Sequence, residues 1–499
     1  MLCPKCGGEN PGNAHVCDSC NTALIKAMTS KLAIVSLVLG MLSLFLFVLA
    51  GIPAIVVGIV SLLKIRRSNG ALKGKYIALA GMNVSIVFMC IFLILWSRDA
   101  PPIPNDYTLA DLRSAPAEYA ESFELLKTLI DEDHNIPGAP AIGLSDGDID
   151  MIKEIRDVLE EGTAAEIAQI LSHDANDIKA AWASGQKARD TIHRLNAFPE
   201  IAVLIEPIIG YKNLRLHNLI ELAHLYEVYA HLQTEPNDIH AFAVELIELH
   251  SVFRKLSLNA RPFIERLVCH ACIEKSIISA SVIVNHPRAS KNTIERLARH
   301  FTSLTGEELS LHNGVLFDYL LVKNIILEVS GQSPTKKNPL FKTNSTLRVY
   351  KNSHDSWLDA IEQKKHVSMA KLPAWPSCYP FKEPNLFRNR GLLPLTYWFY
   401  NPLGSRCLSM FGFYYDKYYK KCFILQVRDD LFRIILNKRL GEGVRLKARA
   451  YSDEYIVDVE DKKIFSPGPD GEADTEDDIK LRINPQVLGW NSQEKSNEQ

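Results

Sequence analysis

Two long apolar runs open the chain, and periodic apolar stripes follow them. The first run extends from Leu32 to Leu63 and the second from Tyr76 to Trp96. The second is free of charge over about 20 positions, enough for a helix to cross a bilayer. Neither run has the polar face of a helix lying on a soluble core, so both are expected to be membrane segments. The first run would make about 48 Å of helix, against a hydrocarbon core of about 30 Å. Gly51-Ile52-Pro53 interrupts it, and proline kinks a helix by removing a backbone donor. Either one long kinked helix or a re-entrant hairpin is expected there.

Residues 98–114 read as a stiff linker around Pro101-Pro102-Ile103-Pro104. Residues 115–331 repeat apolar positions at helical spacing. Phe123, Leu126, Leu129 and Ile130 form one stripe, and Leu246, Leu249, Phe253 and Leu256 another. Breaks at Pro137-Gly138, Pro199, Pro207, Pro236-Asn237 and Gly306, with caps at Ser145 and Ser114, predict antiparallel helical hairpins. No repeat period supports a solenoid. Residues 332–499 are mixed. Asn344 to Tyr350 and Trp357 to Val367 read as helix, and Val444 to Ala450 alternates as a strand. Tyr455 to Val459 and Ile464-Phe465 predict a hairpin. Aromatics cluster between Trp375 and Tyr400 and again at Phe413-Tyr414-Tyr415 and Tyr418-Tyr419.

Charge sets an expected topology. Lys64, Arg66, Arg67, Lys73 and Lys75 mark the loop between the runs as cytoplasmic, and Lys26 and Lys31 do the same for the first run's start. Only Arg98 follows Trp96, before Asp99, Asp106 and Asp111. This pattern favours the re-entrant hairpin, with the N-terminus cytoplasmic and the residues after 98 extracytoplasmic. Two full spans with both ends on one side is the alternative. Across the chain 56 Lys and Arg balance 58 Asp and Glu, so no nucleic-acid partner is expected.

Four of the ten cysteines lie in the first 20 residues, as Cys3-Pro4-Lys5-Cys6-Gly7 and Cys17-Asp18-Ser19-Cys20. Two C-x-x-C knuckles on a hairpin bring four thiolates to one tetrahedral site, the closed geometry of structural zinc. Cys3, Cys6, Cys17 and Cys20 are the expected ligands, with His15 as a substitute. Elsewhere chemistry is sparse. His217, His224 and His231 recur every seven residues, too far apart along a helix to share one ion. Cys269 and Cys272 form a third C-x-x-C, which in this helical setting reads as two small core residues rather than a redox pair. Glu160-Glu161 and Glu307-Glu308 read as solvated helix ends. No nucleophile elbow, phosphate loop or dinucleotide fingerprint is present.

The C-P-x-C-G knuckle, the Gly51-Ile52-Pro53-Ala54 piece and the Ala78-Leu79-Ala80-Gly81 piece together resemble a bacterial membrane domain of unknown function that often carries a zinc ribbon. The resemblance covers residues 1–97. It implies a bacterial, membrane-embedded protein and no reaction. Near the other end, Ser466 to Ile479 places five carboxylates besides Glu476 within nine residues. This loop resembles the calcium loop of type II secretion major pseudopilins, where an Asp is followed seven positions later by an Asp-Asp pair. Asp470, Asp477 and Asp478 match those positions, and the resemblance implies calcium ligands there, with carbonyls near Pro467 and Thr475. The pseudopilin N-terminal processing signal is absent.

The sequence thus predicts a multidomain membrane protein. Its parts are a zinc ribbon (1–25), a membrane domain (32–97), a linker (98–114), a mainly α-helical soluble domain (115–331) and a mixed α/β region (332–499). The last includes a small β-rich module and the acidic loop 466–479. The expected cofactors are zinc and calcium, and the expected partners are the lipid bilayer and another protein. A structural or protein-binding role in the envelope fits best. An envelope enzyme with a site between the helical and aromatic-rich regions stays open, as does transmembrane signalling.

Overall fold

The computed structural model describes the chain apart from residues 13, 15, 23, 25–27, 47, 69–71, 131–141, 209–215, 331–340, 363–400, 411–414, 449–453, 469 and 491–499. The fold is mostly helical with small sheets, and it divides into two compact units. The first is built on Met1–Pro101 and the second on most of the chain after it.

In the first unit the ribbon is followed by β1 (Met28–Thr29), α1 (Lys31–Leu46), α2 (Val48–Arg67), β2 (Leu72–Lys73) and α3 (Lys75–Ser97). The first apolar run is two helices rather than one kinked helix. The two fold back on one another, and Pro53 lies inside α2. Hydroxyl contacts fix the hairpin as antiparallel: Ser36 Oγ donates to the Ala54 carbonyl at 2.9 Å, and the Ser30 and Ser61 hydroxyls approach to 3.3 Å. β1 pairs with β2 in parallel, so α1 and α3 start level and run the same way. The faces between the helices are lined by small residues. Ala33, Ser36, Ser43, Ala54, Ala78 and Ser85 are buried, and a Cβ on Gly40 would lie 2.5 Å from the Gly81 carbonyl oxygen. The large side chains point the other way: Val38, Met41, Val56, Leu63, Val87 and Ile94 are each at least half exposed. A water-soluble bundle packs the reverse way. At the far end Asp99 accepts from the Asn344 and Ser345 amides at 2.8 and 3.0 Å.

The second unit contains α4 (Ala120–Lys127), α5 (Asp146–Glu161), α6 (Ala164–His173), α7 (Ala175–Ser184), α8 (Gln186–Asn196), α9 (His217–Ala230), α10 (Pro236–Asn259) and α11 (Phe263–Val284). Then come α12 (Lys291–His300), α13 (Gly306–Leu309), α14 (His312–Val329), α15 (Thr343–Glu362), α16 (Pro402–Met410) and α17 (Asp416–Leu440). The Ser145 capping box forms as expected. Ser114 caps nothing, because the next turn starts after Pro116 instead. The expected helices at 344–350 and from Trp357 onward are joined in one α15 as far as Glu362, and residues 363–367 of the second lie outside the described residues. α11 packs against α9, α10, α14 and α17 at the centre. Among the described residues it is the one helix long and apolar enough to cross a membrane, yet 61% of its apolar window is buried within the protein. It also carries the buried Glu265, Arg266 and His270.

β3 (Ile456–Asp458), β4 (Lys463–Ser466) and β5 (Ile479–Arg482) form an antiparallel sheet, followed by α18 (Pro485–Leu488). The expected hairpin is β3–β4, with Ile456 opposite Phe465. The expected strand from Val444 is reduced to an isolated bridge between Lys447 and Glu454. The sheet is stitched to α11, since Asn285 Nδ2 donates to the Arg482 carbonyl and Asn285 Oδ1 accepts from the Asn484 amide.

Burying a carboxylate without a cation is costly, and α14 does so at Asp318. It accepts from the Tyr415 hydroxyl at 3.3 Å and from the Phe263 amide. Burial pushes its carboxyl up to about 7, and those two donors only partly oppose the shift. The folded state therefore holds the proton more tightly than the unfolded chain. The stability this provides is complete below the ordinary carboxyl range and is lost as pH rises through about 7. Asp318→Asn should flatten that dependence. At pH 8 the variant should unfold at higher denaturant concentration than the parent, with a gain on the order of 4 kcal/mol as an upper bound. Urea unfolding at pH 5 and pH 8 measures the difference.

Candidate metal centre

The ribbon is built from two copies of one local turn, 14 residues apart. The Cys3 amide donates to the Gly8 carbonyl at 2.9 Å, and the Cys17 amide to the Thr22 carbonyl at 2.8 Å. Gly7 and Asn21 follow the second cysteine of each knuckle at φ +70° and +56°, and their amides return to the Cys3 and Cys17 carbonyls. Asn and Gly are the residues that enter this left-handed region most readily.

The turns bring the four sulfurs within 4.8 Å of one another. Cys3 and Cys20 are 3.5 Å apart, as are Cys6 and Cys17. Four sulfurs about 2.3 Å from a central ion would be about 3.8 Å apart, so the cage is the size for zinc. None of the four is in a disulfide. Among the described residues this is the one group of three or more His, Cys, Asp and Glu side chains whose ligand atoms lie close enough together to share an ion. The electrostatics are divided. Burial pushes the Cys17 thiol up, but the Asn10 amide group and the Ser19 and Cys20 backbone amides outweigh it and hold it near 6. Cys20 is lowered chiefly by the Thr22 hydroxyl 3.1 Å away. The Gly8 amide pulls Cys6 down, yet the three neighbouring sulfurs outweigh it and push Cys6 up to about 12. Four thiolates at this spacing repel one another, and a shared cation removes the conflict.

Asn10 is the residue that sequence reasoning missed. It is buried, its Nδ2 donates to Cys17 Sγ at 3.4 Å and to the Gly8 carbonyl, and its Oδ1 accepts from the Asp18 amide at 3.0 Å. It ties one knuckle to the other. The signal that could have found it is its place beside Pro11, where the hairpin must turn. His15 lies outside the described residues.

Residues 32–95 match a domain of unknown function (DUF4190). This segment is the helical bundle α1–α3 that follows the ribbon. No curated protein and no solved structure matches the chain. The pseudopilin resemblance therefore has no support beyond the loop residues themselves.

The other sequence-derived candidates do not assemble. In loop 466–479 the Asp477 carboxylate accepts from the Asp470 amide and the Thr475 hydroxyl, and Asp478 accepts from the Asp474 amide. The loop is closed by its own bonds, and Asp470, Asp477 and Asp478 do not form a metal cluster like that of the cysteines. His224 sits between Arg156 and Glu221 on α5 and α9, while burial lowers His231 to about 4. Burial also raises the Cys269 and Cys272 thiols, the opposite of a reactive pair. Glu308 is a correction: it is not solvated but buried, paired bidentately with Arg254 and capping α13. Arg254 and Glu308 also line a shallow cleft of about 210 Å³. Tyr415 and Tyr419 pack in the core. The cluster from Trp375 to Tyr400 lies outside the described residues.

A residue that orients a metal ligand typically carries 10- to 100-fold in affinity. Asn10→Ala should weaken zinc binding by roughly that factor without changing its 1:1 stoichiometry, and Cys17→Ser should abolish binding. Competition with a chromophoric chelator reads both.

Proposed function

We propose that this is a bacterial membrane-anchored protein with a cytoplasmic zinc ribbon. Its helical unit lies outside the cytoplasm and serves a structural or protein-binding role. The observation that carries the reading is the inverted packing of α1–α3, with glycine, alanine and serine inside and large aliphatic side chains outside. In lipid that arrangement is favourable, because small residues let backbones approach and hydrocarbon covers the rest. α1 is 16 residues long and α3 is 23. At 1.5 Å per residue these are about 24 and 34 Å, and the 20 residues of α2 are about 30 Å, so by length α2 and α3 reach across and α1 does not. That supports a re-entrant α1–α2 hairpin beside one crossing. The basic ends of the hairpin then lie on the ribbon's side, as the distribution of Lys and Arg requires.

The topology has a direct test. The full chain should stay with membranes through alkaline carbonate extraction. In intact cells an impermeant thiol reagent should label Ser172→Cys in α6 and leave Ser68→Cys at the end of α2 unlabelled. Release by carbonate removes the anchor, and labelling at Ser68 alone inverts the orientation.

Calcium at loop 466–479 is a second proposal, supported by one observation. Asp478 Oδ1 is buried and has no hydrogen-bond partner among the described residues. A hard cation needs six to eight oxygens, and Asp470, Asp477 and Asp478 would supply the charged ones. Millimolar calcium should raise the unfolding temperature of the full chain, and Asp477→Asn with Asp478→Asn should remove the rise. Equal melting in calcium and in chelator defeats the assignment.

A further inference from the structure

Between Asp18 and Asp99 the chain has no acidic residue, while it keeps eight Lys and Arg. Six of those cations converge on one end of the bundle. Lys31 opens α1, Lys64, Arg66 and Arg67 close α2, Lys73 lies in β2 and Lys75 opens α3. The pairing of Thr29 with Lys73, the Ser30 amide bond to the Lys73 carbonyl and the Ser30–Ser61 contact hold these ends level. All six side chains are exposed, and none is in an ion pair among the described residues. Lys31 and Lys75 also occupy first helical positions, where the helix dipole disfavours a cation. A collar assembled this way is electrostatically unfavourable until an anion from outside meets it.

The surroundings identify the anion. Exposed Ile34, Val35 and Val38 begin within one or two turns of Lys31, and Val60 and Leu63 adjoin Lys64. Tyr76, beside Lys75, is 83% exposed, the placement of an aromatic at a membrane interface. A soluble polyanion would neutralise the collar but leave this aliphatic surface bare. A lipid supplies a phosphate and a hydrocarbon chain at the matching levels. We infer that the collar of Lys31, Lys64, Arg66, Arg67, Lys73 and Lys75 binds the phosphodiester headgroups of anionic phospholipids, making the anchor selective for a leaflet rich in them. This rests on the membrane reading above.

The test reconstitutes the full chain in nanodiscs of equal phosphatidylglycerol and phosphatidylcholine. Lipids retained after detergent extraction are counted by native mass spectrometry. Phosphatidylglycerol should be enriched roughly five-fold or more on the parent chain and fall toward parity in a Lys64→Gln, Arg66→Gln, Arg67→Gln, Lys73→Gln variant. The variant's zinc content and nanodisc incorporation check that it is folded. Equal retention of both lipids by an incorporated parent chain overturns the inference and leaves the anchor intact. Enrichment that survives in the variant overturns the collar's role. Failure of the parent to incorporate at all overturns the membrane reading and this inference together.

Discussion

Two helices can approach only as closely as the side chains between them allow, and in α1–α3 glycine sets the limit. Any Cβ on Gly81 would come within 2.6 Å of the Ser36 carbonyl oxygen. The consequences spread outward from that contact. With the α1 and α3 backbones this close, large side chains are kept out of that seam, and aliphatic ones such as Val38 and Val87 face away, while Met82 and Met89 lie over Gly58 and Gly51 of α2. The same close approach keeps α1 and α3 parallel and their starts level, which lets β1 and β2 pair. That pairing in turn gathers the lysines and arginines at one end. The cysteine ribbon leads into the same β1, so its side of the proposed anchor follows from the same geometry.

The second unit solves the opposite problem with similar material. α11 is apolar over most of its length, and by composition it passes for a membrane span. It is instead the helix around which the others pack. A hydropathy window sums transfer out of water and does not distinguish lipid from protein as the destination. What separates the two cases is the position of the polar residues. In α11, Arg266 reaches the Glu307 carbonyl and His270 reaches the Glu308 carbonyl, fixed partners that only a protein neighbour can supply. In α1–α3 the buried polar groups are serine hydroxyls bonded to helix carbonyls, which need no partner outside the bundle.

Much of this was legible in the sequence, and the parts that were not share a cause. The cysteine site was readable because its chemistry is local: two short knuckles carry both the ligands and the turns. The Ser145 cap and the β3–β4 hairpin were readable for the same reason. Pro53 misled because a proline inside a helix removes one i→i−4 donor without ending the helix, and α2 runs on through it to Arg67. Glu308 misled because its partner, Arg254, is 54 positions away. Asn10 was missed because its residue type does not distinguish a surface asparagine from one that donates to a ligand sulfur, and its place beside Pro11 is the one cue. Spacing finds ligands, but it does not find the residues that hold them in place.

That distinction bears on what the ribbon contributes. Its apolar content is too small to fold it, since the first 22 residues offer little beyond the cysteines themselves to bury. Its order therefore depends on resolving the repulsion among four sulfurs. Asn10 and the knuckle amides go part of the way by lowering Cys17, and the crowding shows again at Cys6, which they leave high. Partial charge from amides can stabilise one thiolate but not four. A divalent cation at the centre would satisfy all of them at once, and in so small a module that would couple metal binding to folding. A site of that kind is closed on every side by its own ligands. Four protein ligands would leave such an ion no open position for a substrate.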